Sequence, residues 1–272
     1  MRDTIQRELE NIEEQCGVRI LYAAESGSRA WGFASPDSDY DVRFVYVRPV
    51  EDYLRLDGPR DVIEWKLDEV LDINGWDLRK ALTHLKQGNA ALFEWNNSPV
   101  VYKTTPEWNR VLEISKAYFS EKVAIPHYYG IAASTWAKHL CGGTVRYKKY
   151  FYALRPLLAA RYIEEYHKEP PVPFPDLLNA DMEPCLRASI DRLLEKKKLS
   201  TEAEENPHIP EILAFIKEEL PKQKAIGAGL PDDRNRDWTA LNRLFLEIVR
   251  GGKERPHSPA VSASGCLLSA PE

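Results

Sequence analysis

The chain has 272 residues, of which 43% are apolar and 29% charged, enough to bury one or two cores and to exclude a disordered chain or a disulfide-held miniprotein. Lys and Arg number 37 against 42 Asp and Glu, a formal net charge of −5, so no global basic surface is available to wrap a duplex and any nucleic-acid contact must be local. Cys16, Cys141, Cys185 and Cys266 show neither CxxC nor Cys/His ligand spacing, which speaks against a disulfide framework or zinc site and for a reducing, cytoplasmic compartment. The N-terminus is charged and no apolar run approaches the ~18 residues needed to span a bilayer, so neither export nor a membrane partner is expected.

From Asp3 to Cys16 sparse apolar residues among dense charges predict a short amphipathic helix ended at Gly17. Val18 to Ala24 reads as a strand, Ser26-Gly27-Ser28 as a turn, and Ser35-Pro36-Asp37 as a loop leading to a second strand, Tyr40 to Arg48, closed by Pro49. Asp61 to Leu67 supplies a third strand. Leu78, Leu82, Leu85, Ala91, Leu92 and Trp95 mark a helix from about Asp77 to Trp95, interrupted at Gly88-Asn89, and Val100-Val101-Tyr102 is a further short strand. Beyond Thr105 the patterns have helical period, over 107–118, 121–140, 145–167, 182–197, 207–219 and 235–249. Pro170 to Pro175 reads as a stiff linker, the tail Gly251 to Glu272 as disordered, and no internal repeat is present. The expected fold is therefore α/β (α+β), with a small mixed-sheet domain at 1–104, an all-helical domain at 105–250 that binds substrate or nucleotide, and a tail at 251–272.

The chemistry concentrates between Glu25 and Arg43. A Gly27-Ser28 turn directly after a strand can offer backbone N–H groups and a hydroxyl to phosphate oxygens. A ten-residue gap leads to Asp39-Tyr40-Asp41, whose two carboxylates project from one face of the following strand because side chains alternate. At ~5.5 Å and an effective dielectric of ~20 they repel by about 3 kcal/mol, so they call for a compensating cation. A hard divalent ion such as Mg²⁺ (or Mn²⁺), completing its shell with substrate phosphates, meets that need. The plainer reading is an acidic turn at Asp37, Ser38 and Asp39, with Asp41 paired to Arg29 or Arg43.

Gly27-Ser28 followed by Asp39-Tyr40-Asp41-Val42 resembles the signature of the DNA polymerase β-like nucleotidyltransferase superfamily. The longer segments Gly27-Ser-Arg-Ala-Trp-Gly-Phe, Ser38-Asp-Tyr-Asp-Val-Arg-Phe, Gly75-Trp-Asp-Leu-Arg-Lys-Ala-Leu, Glu94-Trp with Ser98-Pro, and Lys148-Lys-Tyr-Phe-Tyr-Ala-Leu-Arg-Pro-Leu-Leu-Ala-Ala-Arg161 are similar to the RlaP-like, RNA-ligase-associated nucleotidyltransferases, over about residues 1 to 250. The resemblance implies that Gly27-Ser28 holds a triphosphate and that Asp39 and Asp41 bind Mg²⁺. It also implies a third carboxylate on a neighbouring strand. Asp72 is favoured, because Asp-Ile before the Gly75-Trp76 helix start resembles the short acidic strand of relatives, while Glu64 and Asp61 stay open.

A second cluster is Arg146 to Arg155, in which Lys148, Tyr152 and Arg155 form one helical stripe of two cations and a ring. The stripe suits a nucleotide, and it equally describes an amphipathic helix whose tyrosines pack and whose lysines snorkel. Trp31, inside the loop before Asp39, can stack on a base or pack beneath the loop. The six histidines show no metal-ligand pairing. The expected reaction is in-line attack of an acceptor hydroxyl on the α-phosphorus of an NTP, with release of pyrophosphate. An RNA end, a protein hydroxyl or a small molecule all fit as acceptor. The competing expectation is a non-catalytic nucleotide or RNA sensor, or a structural partner in RNA repair, built on the same fold.

Overall fold

A computed structural model describes residues 1–35, 38–68, 70–178, 182–199 and 205–251; Asp37 and the expected tail beyond Gly251 lie outside the described residues, and Gly251 itself closes a helix rather than opening the tail. The first helix, α1 (Arg2–Cys16), ends where Gly17 takes a left-handed conformation at φ 63°. Strands β1 (Arg19–Glu25), β2 (Tyr40–Val47), β3 (Val62–Leu67), β4 (Leu71–Asp77) and β5 (Val101–Thr104) form one mixed sheet in the order β3-β4-β2-β1-β5. β2 and β4 are parallel and the other pairs antiparallel. Between these strands lie α2 (Gly27–Ala30), α3 (Val50–Leu54), α4 (Leu78–Lys86) and α5 (Ala90–Asn96).

Residues 71–77 differ from the sequence expectation. They form a strand throughout, where the helix start had been expected near Gly75-Trp76. Leu71, Ile73 and Gly75 alternate inward against Asp72, Asn74 and Trp76, and Gly75 lies so close to the Phe44 ring that a Cβ there would overlap it. The helix begins only at Leu78, with the Asp77 carboxylate capping the Arg79 N–H at 2.7 Å. The break expected at Gly88-Asn89 separates α4 from α5, Gly88 being left-handed at φ 74°.

The C-terminal region is mostly helical: α6 (Pro106–Ser115), α7 (Glu121–Thr135), α8 (Lys148–Tyr166), the short α9 (Phe174–Leu177), α10 (Pro184–Leu199), α11 (Pro210–Gly229) and α12 (Thr239–Gly251). It is not entirely so, because β6 (Thr144–Arg146) and β7 (Glu205–Pro207) pair as a small ribbon. Three-residue strands are too short to leave an alternating pattern, which is why the sequence showed none.

Three cores result. α1 lays Ile5, Leu9 and Ile12 on the sheet face that carries Val42, Phe44 and Tyr46. The opposite face, with Val45 and Val47, is covered by α4, α5, α6 and α12. The third core is the helical region itself, centred on Tyr150, Phe151, Leu154 and Leu158 of α8, and Phe33 of the loop after α2 inserts into it. The proline connector is a fixed brace, with Val172 and Phe174 buried and the Phe174 N–H donating to the Trp31 carbonyl at 2.8 Å.

Candidate active site

Alternation along β2 puts Asp41 and Arg43 on the face shared with Val45 and Val47, at the N-terminal end of the strand, which Asp39 immediately precedes. The parallel register of β2 and β4 sets Asp41 directly opposite Asp72. Of the three candidates for the third carboxylate, Asp72 is the one level with Asp41. Glu64 is exposed opposite Asn74, and Asp61 lies at the other end of the sheet, bound to Lys80 at 3.0 Å. The Arg43 guanidinium stands between the in-register pair, 3.1 Å from Asp41 and 2.6 Å from Asp72. Asp41 thus has the Arg43 partner that the plainer reading allowed, and Arg29 instead donates to the carbonyls of Ser38 and Asp39 while its guanidinium lies 3.6 Å from the Tyr40 ring centroid. Asp39 itself is exposed.

Gly27 opens α2 at φ 57°, and a Cβ there would overlap the Asp41 carboxylate. The turn and the aspartate are therefore packed against one another, with the Ser26 N–H bonded to the Asp41 carbonyl at 2.7 Å. Ser28 is half-buried next to it. Beneath them lies a group that sequence reasoning missed. Glu25 is 1% exposed, accepts the Asp41 N–H at 2.8 Å through Oε1, and accepts the Tyr102 hydroxyl through Oε2. The Ser98 hydroxyl donates to its carbonyl at 2.6 Å. Burial pushes the carboxyls of Glu25 and Asp41 above their ordinary range, against the opposing pull of Tyr102 on the first and Arg43 on the second. The one available signal for Glu25 was an ionisable residue ending an apolar strand immediately before a Gly-Ser turn.

The stripe on α8 approaches the same loop through Trp31. Tyr152 meets the Trp31 ring edge-on at 5.7 Å, and the Arg155 guanidinium lies 4.6 Å from its centroid. Trp31 is thus packed from several sides, including Phe33 at 5.6 Å. Arg155 is 3% exposed, pairs with Glu94 of α5 at 2.7 Å and donates to the Val172 carbonyl, while its Nη2 has no partner among the described residues. Lys148 is half-buried at the first turn of α8.

Residues 1–247 match the family described as RlaP, the RNA repair pathway DNA polymerase beta family. The chain belongs to the RlaP family. It is also 42% identical, over 253 residues covering 92% of this chain and 96% of the relative, to the uncharacterized protein YcgL of Bacillus subtilis (strain 168). RlaP membership brings with it the polymerase β association with divalent metal. Among the described residues no three His, Cys, Asp or Glu side chains are gathered closely enough to hold an ion unaided. The carboxylates gathered here, Asp41 and Asp72 with Asp39 before the strand, are nevertheless all hard oxygen donors, the type that Mg²⁺ or Mn²⁺ takes while filling its remaining positions with water and phosphate. Arg43 already sits between two of them and would have to yield. No helix among the described residues is long and apolar enough to cross a membrane.

Proposed function

We propose that the protein is a divalent-metal-dependent nucleotidyltransferase that moves a nucleoside monophosphate from an NTP to a hydroxyl acceptor, with RNA in a repair pathway the acceptor that family membership favours. The observation carrying this reading is the register that sets Asp41 beside Asp72, with Asp39 just before the strand and the Gly27 turn pressed against Asp41. Asp39, Asp41 and Asp72 would hold Mg²⁺ or Mn²⁺, which supplies charge neutralisation at the phosphate oxygens and the attacking hydroxyl. Gly27 and Ser28 would receive the triphosphate on backbone N–H groups and a hydroxyl. Lys148 would add a cation to the phosphates and Tyr152 a ring near the base, both from α8. Arg155 would act on the nucleotide side by holding Trp31 and α5 in place, with one spare N–H pair. Glu25 would position Asp41 through its backbone. Catalysis is then mainly positioning and electrostatics.

The test is pyrophosphate release from each NTP with Mg²⁺, followed by exposure of labelled NTPs to total RNA and to total protein as separate acceptor pools. Transfer into one pool, abolished by Asp41→Asn and by Asp39→Asn with unchanged circular dichroism, is expected. Absence of pyrophosphate and of label in both pools, or near-normal turnover in either variant, defeats the proposal. One observation favours a second reading, a non-catalytic nucleotide or RNA sensor: Arg43 already neutralises the Asp41–Asp72 pair without a metal. An NTP-dependent rise in melting temperature that needs no divalent ion and yields no pyrophosphate would select it.

A further inference from the structure

The same two strands that carry the aspartates end, at their other extremity, on a cavity of about 300 Å³. Arg48 reaches it from the end of β2, Asp77 from the end of β4, Tyr53 from α3, and Arg79 and Lys80 from the first turn of α4. Seven residue steps separate Asp41 from Arg48, about 23 Å at ~3.3 Å per residue. This cavity is therefore separate from the carboxylate site.

Its charges are unequally matched. The three lining carboxylates are all engaged: Asp61 takes Lys80 at 3.0 Å, Asp52 lies 3.8 Å from Arg55, and Asp77 accepts the Tyr53 hydroxyl at 2.8 Å and the Arg79 N–H at 2.7 Å. Arg48 and Arg79, by contrast, have no carboxylate within ion-pair distance among the described residues. Arg48 donates from Nη2 to the Arg60 carbonyl at 3.2 Å, and its Nε is buried without a partner. Arg79 donates to the Tyr53 carbonyl at 3.3 Å, and its guanidinium lies 4.9 Å from the Tyr53 ring centroid and 5.8 Å from that of Phe245. The Asp77 carboxylate feels both guanidiniums without a direct ion pair to either, and carbonyls and ring faces leave each guanidinium spare N–H donors. The Arg48 backbone N–H donates to the Tyr53 hydroxyl at 3.2 Å, while the Arg48 guanidinium lies 5.2 Å from the Tyr46 ring centroid, so the two guanidiniums enter the cavity from different sides of its lining.

We propose that this cavity is a second ligand site, which binds the phosphate of a small phosphomonoester through Arg48 and Arg79. Guanidinium forks match the tetrahedral oxygens of phosphate and deliver several charge-assisted bonds at once. A volume of about 300 Å³ is at the lower end for small-molecule pockets, which suits a sugar phosphate or mononucleotide. The inference stands on this cavity alone and does not depend on the transfer reaction.

The experiment is isothermal titration of the full chain with ribose 5-phosphate in metal-free buffer, with inorganic phosphate as a second probe and ribose and malate as comparisons. Saturable binding of both phosphate probes, none of ribose, and weaker binding of malate are expected. Affinity should be unchanged in Asp41→Asn and about ten- to a hundred-fold weaker in Arg48→Gln and Arg79→Gln. Arg79 is exposed, so its variant reads the site even where Arg48→Gln disturbs folding. No saturable phosphate binding, equal affinity in Arg79→Gln, loss of binding in Asp41→Asn, or tighter binding of malate than of ribose 5-phosphate would each overturn the proposal.

Discussion

Individual residues at the carboxylate site are held from below. Gly27 has two constraints at once, a left-handed φ of 57° and a place where a Cβ would overlap the Asp41 carboxylate. Gly27→Ala should consequently lose about 1–2 kcal/mol of stability from backbone conformation and displace Asp41; loss of activity greater than loss of stability, read from turnover and urea melts, is the expected outcome. Glu25 is the second such residue. Its buried carboxylate accepts both the Asp41 N–H and the Tyr102 hydroxyl, so Tyr102→Phe leaves a buried acceptor unmade at a cost of about 1–3 kcal/mol. If Glu25 acts on catalysis by positioning Asp41, that variant also lowers kcat with little change in KM; a purely structural role moves the melting temperature alone.

At the scale of elements, α8 joins the loop after α2 to the rest of the molecule through residues with different duties. Arg155 is a buried partner of Glu94, and removing one member of such a pair costs about 3–5 kcal/mol because the other charge stays buried. Arg155→Ala is therefore expected to lower the unfolding midpoint strongly, whereas Lys148→Ala should leave it nearly unchanged while weakening NTP binding about ten- to a hundred-fold. Equal NTP titrations for wild type and Lys148→Ala would remove the lysine from the site. α4 offers a pH-dependent counterpart. His84 packs on the Trp76 ring at 4.7 Å and its Nδ1 lies 3.3 Å from the Asn89 amide, and burial, assisted by Lys80, holds its pKa below the ordinary value of 6.5. The unfolded chain then takes up the proton first as pH falls, so this contribution is complete above pH ~7 and is lost from the ordinary histidine value downward. Urea midpoints measured between pH 5 and 7.5 should show a smaller decline in His84→Gln than in wild type.

For the whole molecule, the sheet does not end its core at residue 104. Its second face is sealed by Trp108 and Val111 of α6 and by Leu241, Leu244 and Ile248 of α12, which returns from the far end of the chain to α4. A fragment of residues 1–104 would leave that face in water, and the apolar area lost makes independent folding unfavourable. Circular dichroism and chemical denaturation of the fragment should show no cooperative transition, while the full chain unfolds with the sheet and α12 together. Leu244→Ala, at about 2–5 kcal/mol, should lower the same single transition.

Local patterns in the chain determined much of this architecture: the helix stopped at Gly17, the strand from Tyr40, the break at Gly88-Asn89 and the helical period after Thr105 all follow from alternation, capping and glycine, which act within a few residues. Tertiary structure alone decided which carboxylate stands beside Asp41, since Asp61, Glu64 and Asp72 are equivalent in spacing and only the parallel register of β2 and β4 brings Asp72 level with it. It also turned residues 71–77 into a strand through the close approach of Gly75 to Phe44, and the proline segment into a brace through Trp31. The burial of Glu25 beneath Asp41, the commitment of Arg155 to Glu94 and the convergence of Arg48 and Arg79 on one cavity depend on the placement of residues tens of positions apart, whose energies no local period records.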